Sequence, residues 1–154
     1  MAELKTEFLC DVMADFDPES MIRIGATPHG NRHIMYITGG TVEGPKVRGV
    51  VVPGGGDWLL IRPDRAAILD VRAVCRTDDD DIIYTCFHGI NIMSREVRER
   101  MAKGESIDPS EYYFRITPVF ETASEKYDWL NRVVAVGIGR PTLTGVAYRI
   151  YTIL

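Results

Sequence analysis

The chain has 154 residues, enough for a single domain with a real core over 1–154. A net charge of −4 and a pI near 5.4 argue against nucleic acid as the main partner, because a phosphate-binding surface carries a basic surplus. No apolar run is long enough to span a bilayer, and the opening "MAELKTEF" is too polar for a signal peptide, so a cytoplasmic protein with no membrane partner is expected.

Alternation dominates from the start. In "LKTEFLCDVMADF", Phe8, Cys10, Val12 and Ala14 share one face and Lys5, Glu7 and Asp11 the other, which is the period of a half-buried strand. "SMIRIGA" and "RHIMYIT" read as strands around the turn "TPHGN". "KVRGVVV" and "DWLLIR" flank "PGGG", and "AAILDVRAVCR" and "DIIYTCFHGI" flank "TDDDD". One segment departs: "SREVRERMAKGE" predicts a short helix near 94–103, with Ser94 as N-cap, Gly104 as stop, and Glu96–Arg100 and Glu99–Lys103 as i,i+4 pairs. "EYYFRITPVFE", "NRVVAVGIG" and "GVAYRIYTIL" complete about ten strands. Without helices between the other strands, parallel crossovers are excluded. The expected fold is all-β: an antiparallel up-and-down barrel, whose closure removes exposed edges.

Hairpin topology makes loops alternate between the two ends. Counting "PGGG" as a hairpin places 39–45, the helix and 139–145 at one end. It places "PGGGD", "TDDDD" and 121–131 at the other, so Asp57-Trp58 and Asp128-Trp129 are expected on one rim. The helix is expected to cap the opposite mouth.

The glycine run invites a phosphate-loop reading, but it lacks Lys-Ser or Lys-Thr and opens a strand rather than a helix. A turn or bulge that needs glycine fits better. Cys86 and His88 share a face without a second pair, and "TDDDD" lacks calcium-loop spacing, so no metal is expected. No nucleophile elbow or catalytic cysteine context is present, and the odd count of Cys10, Cys75 and Cys86 suits free thiols.

Charges embedded in strands say more. Asp70 and Arg72 alternate with Ile68 and Val74. Tyr113, Arg115 and Glu121 share one parity, and Trp58, Leu60 and Arg62 another. Outward, these are solvated positions; inward, they must be paired. An inward arginine–carboxylate set beside Trp58 and Trp129 would suit a planar or acidic small ligand.

The stretches "GNRHIMYITGGTVEGPKVRGVVVPGGGDWLLIRPD", "AILDVRAV", "YYFRITPVFET" and "YDWLNRVVAVGIGR" resemble the uncharacterised protein family 0311, the domain of unknown function 3237. The resemblance runs from about Arg23 to the C-terminus. It implies a lipocalin-like or streptavidin-like β-barrel and a homodimer, and no established activity. Where the family commonly has Asp-Gly after "W-L-x-R", this chain has Asp64-Arg65, which makes a tight turn there less secure.

Three functions are compatible with these residues. The first is a cofactor-free acid–base enzyme (isomerase, cyclase or lyase) acting on a small hydrophobic or aromatic metabolite. In it Asp57 or Glu121 is the base, Arg72 or Arg115 stabilises negative charge, and Trp58, Arg62, Tyr113, Trp129 and Asn131 line the pocket. The second is a small-molecule carrier on the same barrel. The third is a structural barrel filled by side chains.

Overall fold

The computed structural model describes residues 3–154. Eleven segments carry the architecture: β1 (Thr6–Phe16), β2 (Ile22–Thr27), β3 (Gly30–Glu43), β4 (Arg48–Asp57), β5 (Leu60–Ile61), β6 (Ala67–Thr77), β7 (Ile82–Ile92), α1 (Arg95–Ala102), β8 (Tyr113–Thr122), β9 (Ala135–Pro141) and β10 (Gly145–Ile153). Every pairing is antiparallel. β1, β10, β9, β8, β7, β6, β4 and β3 follow one another round the wall, and β1–β3 pairing closes it. β2 and β5 are additional: β2 continues the line of β1 along β3, and β5 continues the line of β4 on its other side.

Inward residues follow the predicted period. β6 buries Leu69, Val71, Ala73 and Cys75 while Arg72 and Arg76 face out, and β8 buries Phe114, Ile116 and Pro118. The first strand needs a correction. A register shift between Phe8 and Cys10 puts Leu9 and Cys10 both in the core and leaves Phe8 beside Tyr151 and under Arg149. A bulge reverses facing at one point, which strict alternation does not foresee.

Strand β8 carries the bulk at the centre, and its neighbours make room. A Cβ on Gly139 would lie 2.6 Å from the Phe114 ring, and one on Gly137 would lie 2.6 Å from Ile116. The wall therefore interdigitates large with small.

The "PGGG" run is not a hairpin. β4 passes straight through it with a register shift between Val52 and Gly56. Gly54 takes φ +114, and a Cβ on Gly55 would lie 2.3 Å from the Arg72 carbonyl oxygen. Glycine here permits a bulge and a close backbone approach to β6.

This removes one reversal from the predicted count and corrects the two rims. Residues 57–67, α1 and 141–145 lie at one end; residues 43–48, 77–82 and 122–135 lie at the other. Asp57-Trp58 and Asp128-Trp129 are at opposite ends. Near Trp129, Asp128–Arg132 form a 3-10 turn where a strand was expected to begin.

The helix covers the first of these ends. Ser94 caps it by accepting the Val97 N–H at 3.1 Å, and Val97 joins Met93 and Ile107 in the core. Its ion pairs differ from those predicted: Arg95 pairs with Glu99, and Arg100 reaches beyond the helix to Glu105 and Glu111.

Candidate functional site

Of the four proposed catalytic residues, only Asp57 points into the barrel. It is 2% exposed at the end of β4, between Met35 and Val71 on the flanking strands. Its Oδ1 accepts the Asp70 N–H at 3.0 Å. Burial raises its pKa to about 6, opposed by that hydrogen bond; Asp70 raises it further and Arg32 pulls it down. Tyr148, buried against Phe87 and Phe114, has its hydroxyl pKa raised by burial and by the Asp57 charge.

The other three lie on the outer wall. Arg72 donates to Asp70 at 3.0 Å and stacks over Trp58 at 5.6 Å. Arg115 donates to the Phe114 carbonyl at 2.9 Å and stacks over Tyr113 at 4.8 Å. Glu121 is exposed, opposite Tyr84 on β7. Trp58 accepts a hydrogen bond from Arg32 on its carbonyl, and Arg62 pairs with Asp64. At the far end Trp129 packs against the core under Lys46. Asn131 clamps Thr122, accepting its N–H at 2.9 Å and donating to its carbonyl at 3.0 Å. The predicted residues therefore fall into an interior acid, an outer aromatic–arginine face and a distal loop.

Two spaces bear on ligand binding. Inside the barrel lies a cavity of about 70 Å³ with an almost wholly apolar lining that includes Val12, Ile37, Phe87 and Ile150. At the helix-covered mouth lies an open cleft of about 900 Å³. Met93, Met101, Ile61 and Leu143 supply apolar wall; Arg65, Arg98 and Arg140 supply charge; Asn91 lies on the inward parity of β7. The Asn91 Oδ1 is buried with no hydrogen-bond partner. The Tyr112 hydroxyl is buried and unpartnered too, in an adjoining groove of about 480 Å³ that shares Met13 and Arg140 with the cleft.

Sequence reasoning missed Arg65, Arg98, Arg140 and Asn91. One signal was available for Arg65: it occupies the turn position where glycine was expected. The turn forms regardless, with Arg65 at φ +70 and Asp64 accepting the Ala66 N–H at 3.1 Å. The rest come from β7, α1 and β9, and only closure of the barrel brings them together.

The family described as "Protein of unknown function (DUF3237)" matches residues 4–153. A UPF0311 protein from Clostridium acetobutylicum is 40% identical over 107 residues, which is 70% of this chain and 68% of that protein. The crystal structure of a beta-barrel like protein from Acinetobacter baumannii AYE superposes with a TM-score of 0.86 at 36% identity, covering 100% of this chain and 98% of the other. A structure called an enzyme from Penicillium herquei has a TM-score of 0.74 at 21% identity, covering 100% of this chain and 97% of that one, a likeness of fold alone.

Proposed function

The chain belongs to the family described as "Protein of unknown function (DUF3237)", and from that premise we propose that it is a small-molecule-binding barrel whose ligand enters at the helix-covered mouth. The observation that carries this reading is the open cleft of about 900 Å³ with methionine and aliphatic walls and arginine and asparagine side chains in its lining. Ligand sites are concave and mostly apolar, with a few placed polar groups, and barrel mouths are among their usual positions. The interior void of about 70 Å³ is too small for a metabolite, so the mouth is the better candidate.

A thermal-shift screen of aromatic acids, ketones and lactones tests the reading, since a ligand at 100 times its Kd adds about 2.7 kcal/mol. Ala102 lines the cleft, and Ala102→Trp should abolish any shift while leaving the fold intact. Binding that survives this variant would place the ligand elsewhere.

A second reading, a cofactor-free acid–base enzyme, is favoured by one observation: Asp57 is a buried carboxyl with its pKa raised to about 6, suited to proton transfer near neutrality. The distant neighbour called an enzyme is compatible with it. It requires a ligand that reaches below the cleft to Asp57. Turnover of any compound found in the screen, abolished by Asp57→Asn with binding retained, would support it; binding without turnover would favour the carrier.

A further inference from the structure

We infer that the mouth cleft is selective for organic acids, an apolar body carrying a carboxylate and a hydroxyl, with Arg65, Arg98 and Arg140 taking the carboxylate. This inference rests on the mouth being a small-molecule site.

The chain as a whole is acidic, at −4, yet its mouth gathers three guanidinium groups, and none of them has a carboxylate partner among the described residues. The one carboxylate on the cleft wall, Glu105, is engaged by Arg100, which also holds Glu111. It leaves the three arginines free. Arg98 is oriented rather than neutralised: its Nε and Nη2 donate to the Met93 carbonyl at 3.1 and 2.7 Å, leaving Nη1 without a partner. An anion in the cleft would supply the negative charge that these three lining arginines lack. A carboxylate matches the planar donor fork of arginine.

Two further observations point the same way. Arg65 sits at φ +70, a region that L-residues rarely adopt and that glycine occupies freely. Asp80 takes φ +65 in the 77–82 turn as well, so the conformation alone marks no site; what it does at Arg65 is hold an arginine, where glycine would do, on the cleft wall. The Asn91 Oδ1 is a buried acceptor without a donor, and a buried polar group is normally satisfied. It lines the same cleft and suits a ligand hydroxyl. Arg140 lines both the cleft and the groove that holds the orphaned Tyr112 hydroxyl, so one ligand can meet donors and acceptors on either side of it.

The walls set the size class. Met13, Met93, Met101, Ile61 and Leu143 surround the charged groups with flexible apolar surface, suited to an aromatic or medium-chain body rather than a small polar acid.

The test uses the full chain and three probes, 6-hydroxy-2-naphthoate, 4-hydroxyphenylacetate and decanoate, each beside its neutral amide, with Kd measured by calorimetry at low and high salt. At least one acid should bind at least about tenfold more tightly than its amide and weaken as salt rises. Arg140→Gln should erase that preference; this side chain makes no hydrogen bond within the protein among the described residues, so the fold should survive, as circular dichroism will check. Equal binding of acid and amide, or acid preference unchanged in Arg140→Gln, would overturn the inference and leave the mouth as a small-molecule site. Failure of all six compounds to bind would overturn both.

Discussion

The Asp57 carboxylate and the Asp70 backbone meet at 3.0 Å across β4 and β6, yet the two side chains lie on opposite sides of the barrel wall. Asp57 is 2% exposed inside, and Asp70 faces outward to Arg72. Two acids one hydrogen bond apart thus have unlike chemistry. The inner one has been taken from water with no ion pair among the described residues and only a weaker pull from Arg32, which favours its neutral form; the outer one has kept both water and an arginine.

That contrast predicts a pH-dependent stability. The folded pKa of Asp57 lies near 6, above its unfolded value near 3.8, so between these values the folded state binds more protons. Its contribution is fully favourable below pH 3.8 and is lost as pH rises through 6. At about 1.36 kcal/mol per pH unit, the cost at pH 7 is about 3 kcal/mol. Asp57→Asn, which still offers an oxygen to the Asp70 N–H, should therefore be more stable than the parent by about 2–3 kcal/mol at pH 7 and equal to it near pH 3.5. Urea unfolding across that range measures the difference. A difference independent of pH would mean that the carboxyl titrates normally.

The strained turn makes a second prediction. Arg65→Gly should stabilise the fold by up to about 1 kcal/mol, because glycine accepts φ +70 without a clash. Arg65→Val should destabilise it by more than 1 kcal/mol, since a β-branched residue is poorly tolerated there. Chemical denaturation of both variants checks the pair, and identical stabilities would show that the turn relaxes.

Interdigitation across β8 makes a third. Gly139→Ala puts a Cβ 2.6 Å from the buried Phe114 ring, and overpacking of this kind costs about 1–3 kcal/mol. Phe114→Leu in the same chain should recover part of the loss by vacating ring volume. Thermal unfolding of the single and double variants reads it; additive losses would place the strain elsewhere.

The distal loop makes a fourth. Asn131 bridges both backbone groups of Thr122, so Asn131→Ala should destabilise by about 1–2 kcal/mol and leave ligand affinity at the mouth unchanged. Loss of affinity together with an unaltered melting temperature would restore Asn131 to a binding role.

Much of the fold was legible because its cause is local. Period-two apolar patterning marks strands, "TPHGN" and "TDDDD" mark turns, and the capped "SREVRERMAKG" marks the one α-helix among the described residues. These are rules about neighbours in the chain, and the all-β barrel follows from them. Shared parity was readable as well: Tyr113, Arg115 and Glu121 do lie on one face.

Which way that face points was not readable. β8 has apolar residues on both faces, with Val119 exposed and Phe114 buried, so pattern alone does not choose between inside and outside. Nor was the rim of each loop. A glycine run between apolar stretches looks alike as a hairpin or a bulge, and what separates them is pairing: β4 stays bonded to β6 on both sides of the run, through residues distant in sequence.

By itself, then, the sequence determined where most strands and the helix lie and the all-β fold class, because each depends on residues close in the chain. The tertiary structure alone decided that Asp57 is buried, that Arg72 and Arg115 are not, and that Asn91, Arg98 and Arg140 line one cleft with Arg65. Burial and convergence are set by closure of the β1–β3 seam and by the register across the bulges, and both are long-range events.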